Sequence, residues 1–248
     1  MKAKNSSKNQ DYMQQVTARE TEILLQELKK TLNNNIPGDV VEFGCYKADT
    51  SVLYQKLLES MGHGGAFQPD NHTPSTDQKI LWLYDSFEGL PAKTREDNSA
   101  AGDAFQAGEL LVTKREVVEK FKKMEEVIKK GLEFDRQKRF GSVREMIEKL
   151  RKIIAKIKKA FFDDLDIIYD IPEKISYAFL DGDLYQSIKT SLNLVSSKMS
   201  QGGVIIVHDY NNPELPGSAR AVDEWLKVHQ AKVASFRVAE TLAIIYCA

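Results

Sequence analysis

The chain has 248 residues, 42% of them hydrophobic and 29% charged, with 35 Lys+Arg set against 36 Asp+Glu. That length carries one large α/β domain, and the hydrophobic share excludes a disordered chain. With 14 Gly, 7 Pro and only Cys45 and Cys247, the composition also excludes a collagen-like repeat, a disulfide framework and a four-cysteine zinc site.

Residues 1–10 are polar and lack the apolar stretch of a signal peptide, and no run approaches the ~20 apolar residues that span a bilayer. A cytoplasmic protein is the expectation. An amphipathic helix is predicted over 11–32, where Tyr12, Val16, Ile23, Leu24, Leu28 and Leu32 recur mostly at intervals of three, four or seven. The polar run that follows, with Pro37 and Gly38, stops it. Val40-Val41-Glu42-Phe43 reads as a buried strand, followed by Gly44 and a helix over 50–61. Residues 63–78 form a polar Gly/Pro/Asn loop. Ile80-Leu81-Trp82-Leu83-Tyr84 is a second strand ending at Asp85, and 86–111 reads as an irregular loop of the kind that covers a ligand.

A basic helix is predicted over 113–130, with Val117, Phe121, Met124 and Ile128 on one face, and a second from Ser142, where Ser142-Val143-Arg144-Glu145 has capping-box spacing. Residues 114–159 hold 17 Lys+Arg against 8 Asp+Glu, leaving the rest of the chain acidic. Such a segment is a polyanion-binding face or a solvated helical insertion, and the insertion is the reading adopted. Ile153 to Ile157 both continues a helical stripe and forms a β-branched run; it is read as a strand. Ile175 to Leu180 is a strand ending at Asp181-Gly182-Asp183, then a helix runs over 185–199. Gly203 to Val207 is another strand, ending at His208-Asp209, and a helix follows over 218–229. Runs over 234–238 and 242–247 close the chain as a hairpin. Alternation of strand and helix predicts a mostly parallel sheet covered on both faces.

Glu42, Asp85, Asp181 and Asp209 all stand at or beside strand ends, and in open α/β sheets the ligand crevice lies outside the carboxyl ends of the strands. Like charges on one rim repel unless something cationic or rich in donors sits among them. Gly44 permits close backbone approach, and Asp85 suits a ribose diol. The first loop reads Gly44-Cys45-Tyr46-Lys47-Ala48-Asp49, without the glycines of a dinucleotide turn, so a ribose-bearing cofactor without phosphate fits better. S-adenosylmethionine is such a molecule. Asp181 and Asp209, on strand ends about 5 Å apart if the strands pair, suit a divalent cation. Oxygen ligands favour Mg²⁺, and a participating His208 moves the preference toward Mn²⁺. The alternative for His208 is an imidazole turned away from the ion. Asp183, two residues beyond Asp181, reaches the same crevice and suits a general base.

The motifs Val40 to Gly44, Leu83-Tyr84-Asp85-Ser86-Phe87-Glu88-Gly89-Leu90-Pro91, Ala178-Phe179-Leu180-Asp181-Gly182-Asp183-Leu184-Tyr185-Gln186-Ser187, Gly202 to Tyr210, and Gly217 to Trp225 stand in that order. Together they resemble the macrocin O-methyltransferase family, which methylates sugars of macrolides and aminocoumarins. The resemblance runs from about Gly38 to the end. It implies a Rossmann-like class I methyltransferase fold: a seven-stranded sheet with an antiparallel last strand. It also implies S-adenosylmethionine as donor and Mg²⁺ as metal. By motif position Glu42, Gly44, Asp85 and Ser86 fall in the donor site, Asp181 and Asp209 match metal ligands, and Asp183 matches the base. Three features depart from the pattern. Ala48 and Asp49 replace glycines, His208-Asp209-Tyr210 replaces Asp-Asp-Tyr, and residues 125–150 appear as an insertion.

The expected organisation is an N-terminal polar segment and helix over 1–36, then a methyltransferase domain over 37–248 carrying that insertion. The expected function is metal-dependent O-methylation of a small-molecule hydroxyl, on a sugar or a vicinal diol, in natural-product tailoring. No membrane or nucleic-acid partner is expected, and the N-terminal helix and the insertion are candidate surfaces for a homodimer. The alternative is a catalytically inactive methyltransferase fold that uses its basic insertion to bind a partner. A nicotinamide oxidoreductase is third, weakened by the missing phosphate glycines.

Overall fold

The computed structural model describes residues 16–63, 78–102, 104–136 and 155–248. Helix α1 (Ala18–Asn33) opens on a capping box: Thr17 Oγ1 accepts from the Glu20 backbone N–H, and the Glu20 carboxylate accepts from the Thr17 N–H. The helix therefore starts later than the expected 11–32, because Val16 and Thr17 are not helical; Tyr12 lies outside the described residues. Its apolar face of Ile23, Leu24, Leu28 and Leu32 packs into the core.

The alternation read from sequence continues as β1 (Asp39–Phe43), α2 (Asp49–Ser60), β2 (Leu81–Asp85), α3 (Lys114–Arg136) and β3 (Lys156–Lys159). Then come β4 (Ile175–Leu180), α4 (Tyr185–Ser196), β5 (Met199–Val207), α5 (Pro216–Val228), β6 (Val233–Ala239) and β7 (Leu242–Cys247). The sheet order is β3-β2-β1-β4-β5-β7-β6. Strands β1 to β5 pair in parallel, and β7 runs antiparallel between β5 and β6. This is the class I methyltransferase arrangement expected.

Successive strand residues point to opposite faces. Val40, Leu83, Phe179 and Ile206 pack beneath α1, α2 and α3, while Val41, Phe43, Leu180 and Ile205 pack against α4 and α5. Burial on both faces is why these strands read as continuous apolar runs. The strand expected near Ile153–Ile157 overlaps β3, where the ladder pairs Trp82 with Lys156 and Asp85 with Lys159, while Ile153 and Ile154 lie outside the described residues. It is an edge strand, so its place is set by backbone pairing and its lysines stay largely exposed. The basic helix runs on to Arg136. The second helix expected from Ser142 lies outside the described residues.

From β1 the chain steps outward to β2 and β3, then returns to lay β4 on the other side of β1. That reversal opens a crevice at the carboxyl ends of β1 and β4. Among the described residues, no helix is long and apolar enough to cross a membrane.

Candidate active site

Gly44 leaves β1 with φ +83°, and a Cβ there would stand 1.9 Å from the Asp181 carbonyl oxygen. The glycine is thus required by the neighbouring strand's backbone, a reason the sequence does not display. Tyr46 and Ala48 follow with φ of 42° and 57°, so the turn reaches left-handed backbone without glycines. Asp49, the first residue of α2, pairs with Lys120 Nζ of α3 at 2.5 Å, and that ammonium also donates to the Lys47 carbonyl at 2.7 Å. The acid's charge is therefore met by α3, and Asp49 does not line the crevice.

The crevice is a cleft open to solvent. Gly44, Asp85, Ser86, Asp181 and Asp183 line it, together with the apolar Leu90, Leu110, Phe161 and Phe162. The carboxylate of Asp85 is held by two backbone donors, Tyr46 N–H at 2.9 Å and Phe87 N–H at 2.8 Å, while burial pushes its pKa up. Ser86 Oγ donates to the Gly89 carbonyl and accepts from Glu88 N–H, so it braces its own turn. Glu42 is placed differently from the other candidates. It is buried beneath the cleft, outside its lining, with its carboxyl bound by Ser51 Oγ. Burial raises it to about 8, with Asp181 and Asp85 adding to the shift against the Ser51 hydrogen bond.

Asp181 joins the cleft to a second group behind it. His208 Nδ1 lies 2.8 Å from Asp181 Oδ1 and 3.0 Å from Asp209 Oδ2. One potential ligand atom from each of these three residues lies within 4.8 Å of the others. Burial alone would lower the imidazole's pKa, but the Asp181, Asp209 and Glu20 carboxylates outweigh it and push His208 well up. Asp183 lines the cleft beside them; burial, then Asp181 and Asp209, push its carboxyl well up. Asp183 and Asp209 are themselves in left-handed backbone, at φ 59° and 60°. Such strain persists only where surroundings enforce it, and it concentrates at functional sites.

Of the buried acids that the sequence analysis does not name, two bear on the site. Glu20 reaches the site from α1, its Oε2 3.7 Å from His208 Nε2. Burial acts to raise its pKa, yet the His208 imidazole and hydrogen bonds from Thr241 and Thr17 leave it well below the ordinary carboxylate range. The legible signal was the Thr17-x-x-Glu20 capping box, hidden by starting the helix at Asp11. Asp97 lies in the loop over the cleft, where its carboxylate accepts from the N–H of Tyr185 at 2.6 Å and from both N–H and Oγ1 of Thr94 at 2.8 Å. The legible signal was the Thr94-x-x-Asp97 capping box; the tie to Tyr185 on α4 has no local pattern.

A macrocin-O-methyltransferase (TylF) family model matches residues 13–134 and 143–244. Demethyldecarbamoylnovobiocin O-methyltransferase of Streptomyces niveus is 27% identical over 211 residues, 82% of this chain and 64% of that protein. A rhamnosyl-tetracenomycin-C 4'-O-methyltransferase of Streptomyces olivaceus is 24% identical over 188 residues, 74% of this chain and 57% of that protein. The chain thus spans less than two thirds of the length of both relatives. Among solved structures, the O-methyltransferase NovP superposes with a TM-score of 0.64 at 21% identity, covering 92% of this chain and 79% of that one. The calicheamicin methyltransferase CalS11 gives 0.63 at 16% identity, covering 93% and 80%.

Proposed function

The chain belongs to the macrocin O-methyltransferase family, and from that premise we propose that it is an S-adenosylmethionine-dependent O-methyltransferase acting on a hydroxyl of a sugar-bearing small molecule, assisted by a divalent cation. The observation that carries the reading is the meeting of Asp85, Asp181 and Asp183 in one cleft at the switch point of the sheet. The relatives' names give a demethyldecarbamoylnovobiocin and a rhamnosyl-tetracenomycin as acceptors, and the second supports a sugar hydroxyl. A cleft lined by carboxylates and by Leu90, Leu110, Phe161 and Phe162 suits an acceptor with both polar and apolar parts.

Asp85 binds the donor's ribose hydroxyls through the lone pairs left free by Tyr46 and Phe87. Gly44 lets the donor approach the backbone, Ser86 keeps the β2 turn in shape, and Glu42 supports the β1 turn from below. The donor supplies an electrophilic sulfonium methyl, whose C–S bond breaks as the acceptor O–C bond forms.

The residues present fit a cation. Donor atoms around an octahedral ion with ~2.1 Å bonds stand about 3 Å apart, and His208 Nδ1 meets the two carboxylates at 2.8 and 3.0 Å. Asp181, Asp209 and His208 would hold it. When bound, it would lower the pKa of the acceptor hydroxyl. Asp183 then takes the hydroxyl proton on its carboxylate. Positive charge from donor and cation offsets the burial and the neighbouring acids that otherwise keep Asp183 protonated. Much of the rate would come from holding the reacting groups aligned.

The test is calorimetry with S-adenosylmethionine, with and without Mg²⁺ or Mn²⁺, followed by assays of S-adenosylhomocysteine release with sugar-bearing acceptors. Donor binding with acceptor-dependent release is expected. A chain that neither binds the donor nor gains thermal stability from it would instead be an inactive scaffold.

A further inference from the structure

We propose that Glu20 of α1 is a positioning residue: its carboxylate holds the Nε2 edge of His208 and so directs Nδ1 between Asp181 and Asp209, giving a site that selects Mn²⁺-like transition-metal ions over Mg²⁺. The inference rests on the cation reading above. Glu20 Oε2 lies 3.7 Å from Nε2, an ion-pair contact across a buried gap, while Nδ1 on the other side of the ring faces Asp181 at 2.8 Å and Asp209 at 3.0 Å. Glu20 and His208 are only 2% and 4% exposed, so neither charge is screened by bulk water.

Glu20 is held rigidly. Thr17 donates to Oε2 through its N–H at 2.9 Å and its hydroxyl at 2.7 Å. Thr241, in the turn between β6 and β7, donates to Oε1 through its N–H at 3.2 Å and its hydroxyl at 2.5 Å. Capping α1 accounts for the Thr17 bonds alone. It does not account for the burial of this carboxylate against His208 and Thr241. A carboxylate on the far nitrogen of an imidazole fixes the ring's tautomer and orientation and raises its basicity as a ligand. One imidazole nitrogen beside two carboxylates moves preference from Mg²⁺, which demands oxygen, toward Mn²⁺ and its neighbours.

Binding of Mn²⁺ and of Mg²⁺ is measured by calorimetry, and ¹⁴N coupling to bound Mn²⁺ by pulsed EPR. The protein as it stands should bind Mn²⁺ at least about tenfold more tightly than Mg²⁺, with nitrogen coupling present. Glu20→Gln should lower Mn²⁺ affinity about 10- to 100-fold, lower Mg²⁺ affinity less, and weaken the coupling. Thr17→Ala, which removes one of the four donors that hold the Glu20 carboxylate, should shift the Mn²⁺:Mg²⁺ ratio in the same direction as Glu20→Gln but by less. His208→Asp should abolish the coupling and level the ratio. Bound Mn²⁺ with coupling and ratio unaltered in Glu20→Gln overturns the role of Glu20 and leaves the cation reading standing. Bound Mn²⁺ without ¹⁴N coupling in the unmutated protein overturns the proposal even if Glu20→Gln fails to fold. Binding of neither ion removes the cation reading and this inference together.

Discussion

Asp183 carries the most specific expectation at the scale of single residues. Burial and two neighbouring carboxylates favour its neutral form in the free protein, so the near-isosteric Asp183→Asn, which needs no proton on folding, should unfold at the same temperature or higher at neutral pH. As the proposed base it should nonetheless lose about 10²- to 10⁴-fold in turnover while S-adenosylmethionine binding by calorimetry is retained. Glu42 gives a pH dependence. Its carboxyl rises from 4.5 to about 8 on folding, so the folded chain binds a proton that the unfolded chain releases. That contribution is complete below 4.5 and is lost as pH climbs toward 8, where it levels off. Glu42→Gln should flatten this fall, leaving the variant more stable than the parent near pH 8 by a few kcal/mol, at about 1.4 kcal/mol per unit. Urea unfolding at pH 5 and pH 8 measures it. Both acids were legible as strand-end carboxylates. Their separate fates, one lining the cleft and one sealed beneath it, were not.

Among the elements, the loop between β2 and α3 is fastened to the segments beyond β4 by Asp97 and by Ser99, whose Oγ donates to the Pro213 carbonyl at 2.6 Å. Asp97 accepts the first N–H of α4, and Gly217 of α5 stands so close that a Cβ there would meet Asp97 Oδ1 at 2.0 Å. Asp97→Ala strands the N–H groups of Tyr185 and Thr94 and should cost about 2–3 kcal/mol in denaturant unfolding. Asp97→Asn keeps an acceptor and should cost less. The long strands and helices were readable because their periodicities are the direct result of burial on one or both faces. The far end of edge strand β3 and the start of α1 were missed for the opposite reason. Backbone pairing sets β3 and a capping box sets α1, and neither leaves an apolar pattern.

For the whole molecule, the donor should act as a folding ligand, because its site draws on β1, β2 and β4 together. At 100 times its Kd it should add about 2.7 kcal/mol. For a chain of this size that is roughly 5–10 °C in Tm. Asp85→Asn should remove most of the donor-induced shift while folding normally without donor, as scanning calorimetry would show. The sequence by itself determined the alternating strand–helix order, the acids at the strand ends and the likeness to sugar O-methyltransferases. Each of these is written in neighbouring residues, as periodicity or as a contiguous motif. Only the tertiary structure decided that Gly44 exists to admit the Asp181 backbone, and that Glu20 stands behind His208 across 188 positions of chain. Contacts between distant segments depend on how the sheet is ordered and how helices lie on it, and no local pattern encodes that order.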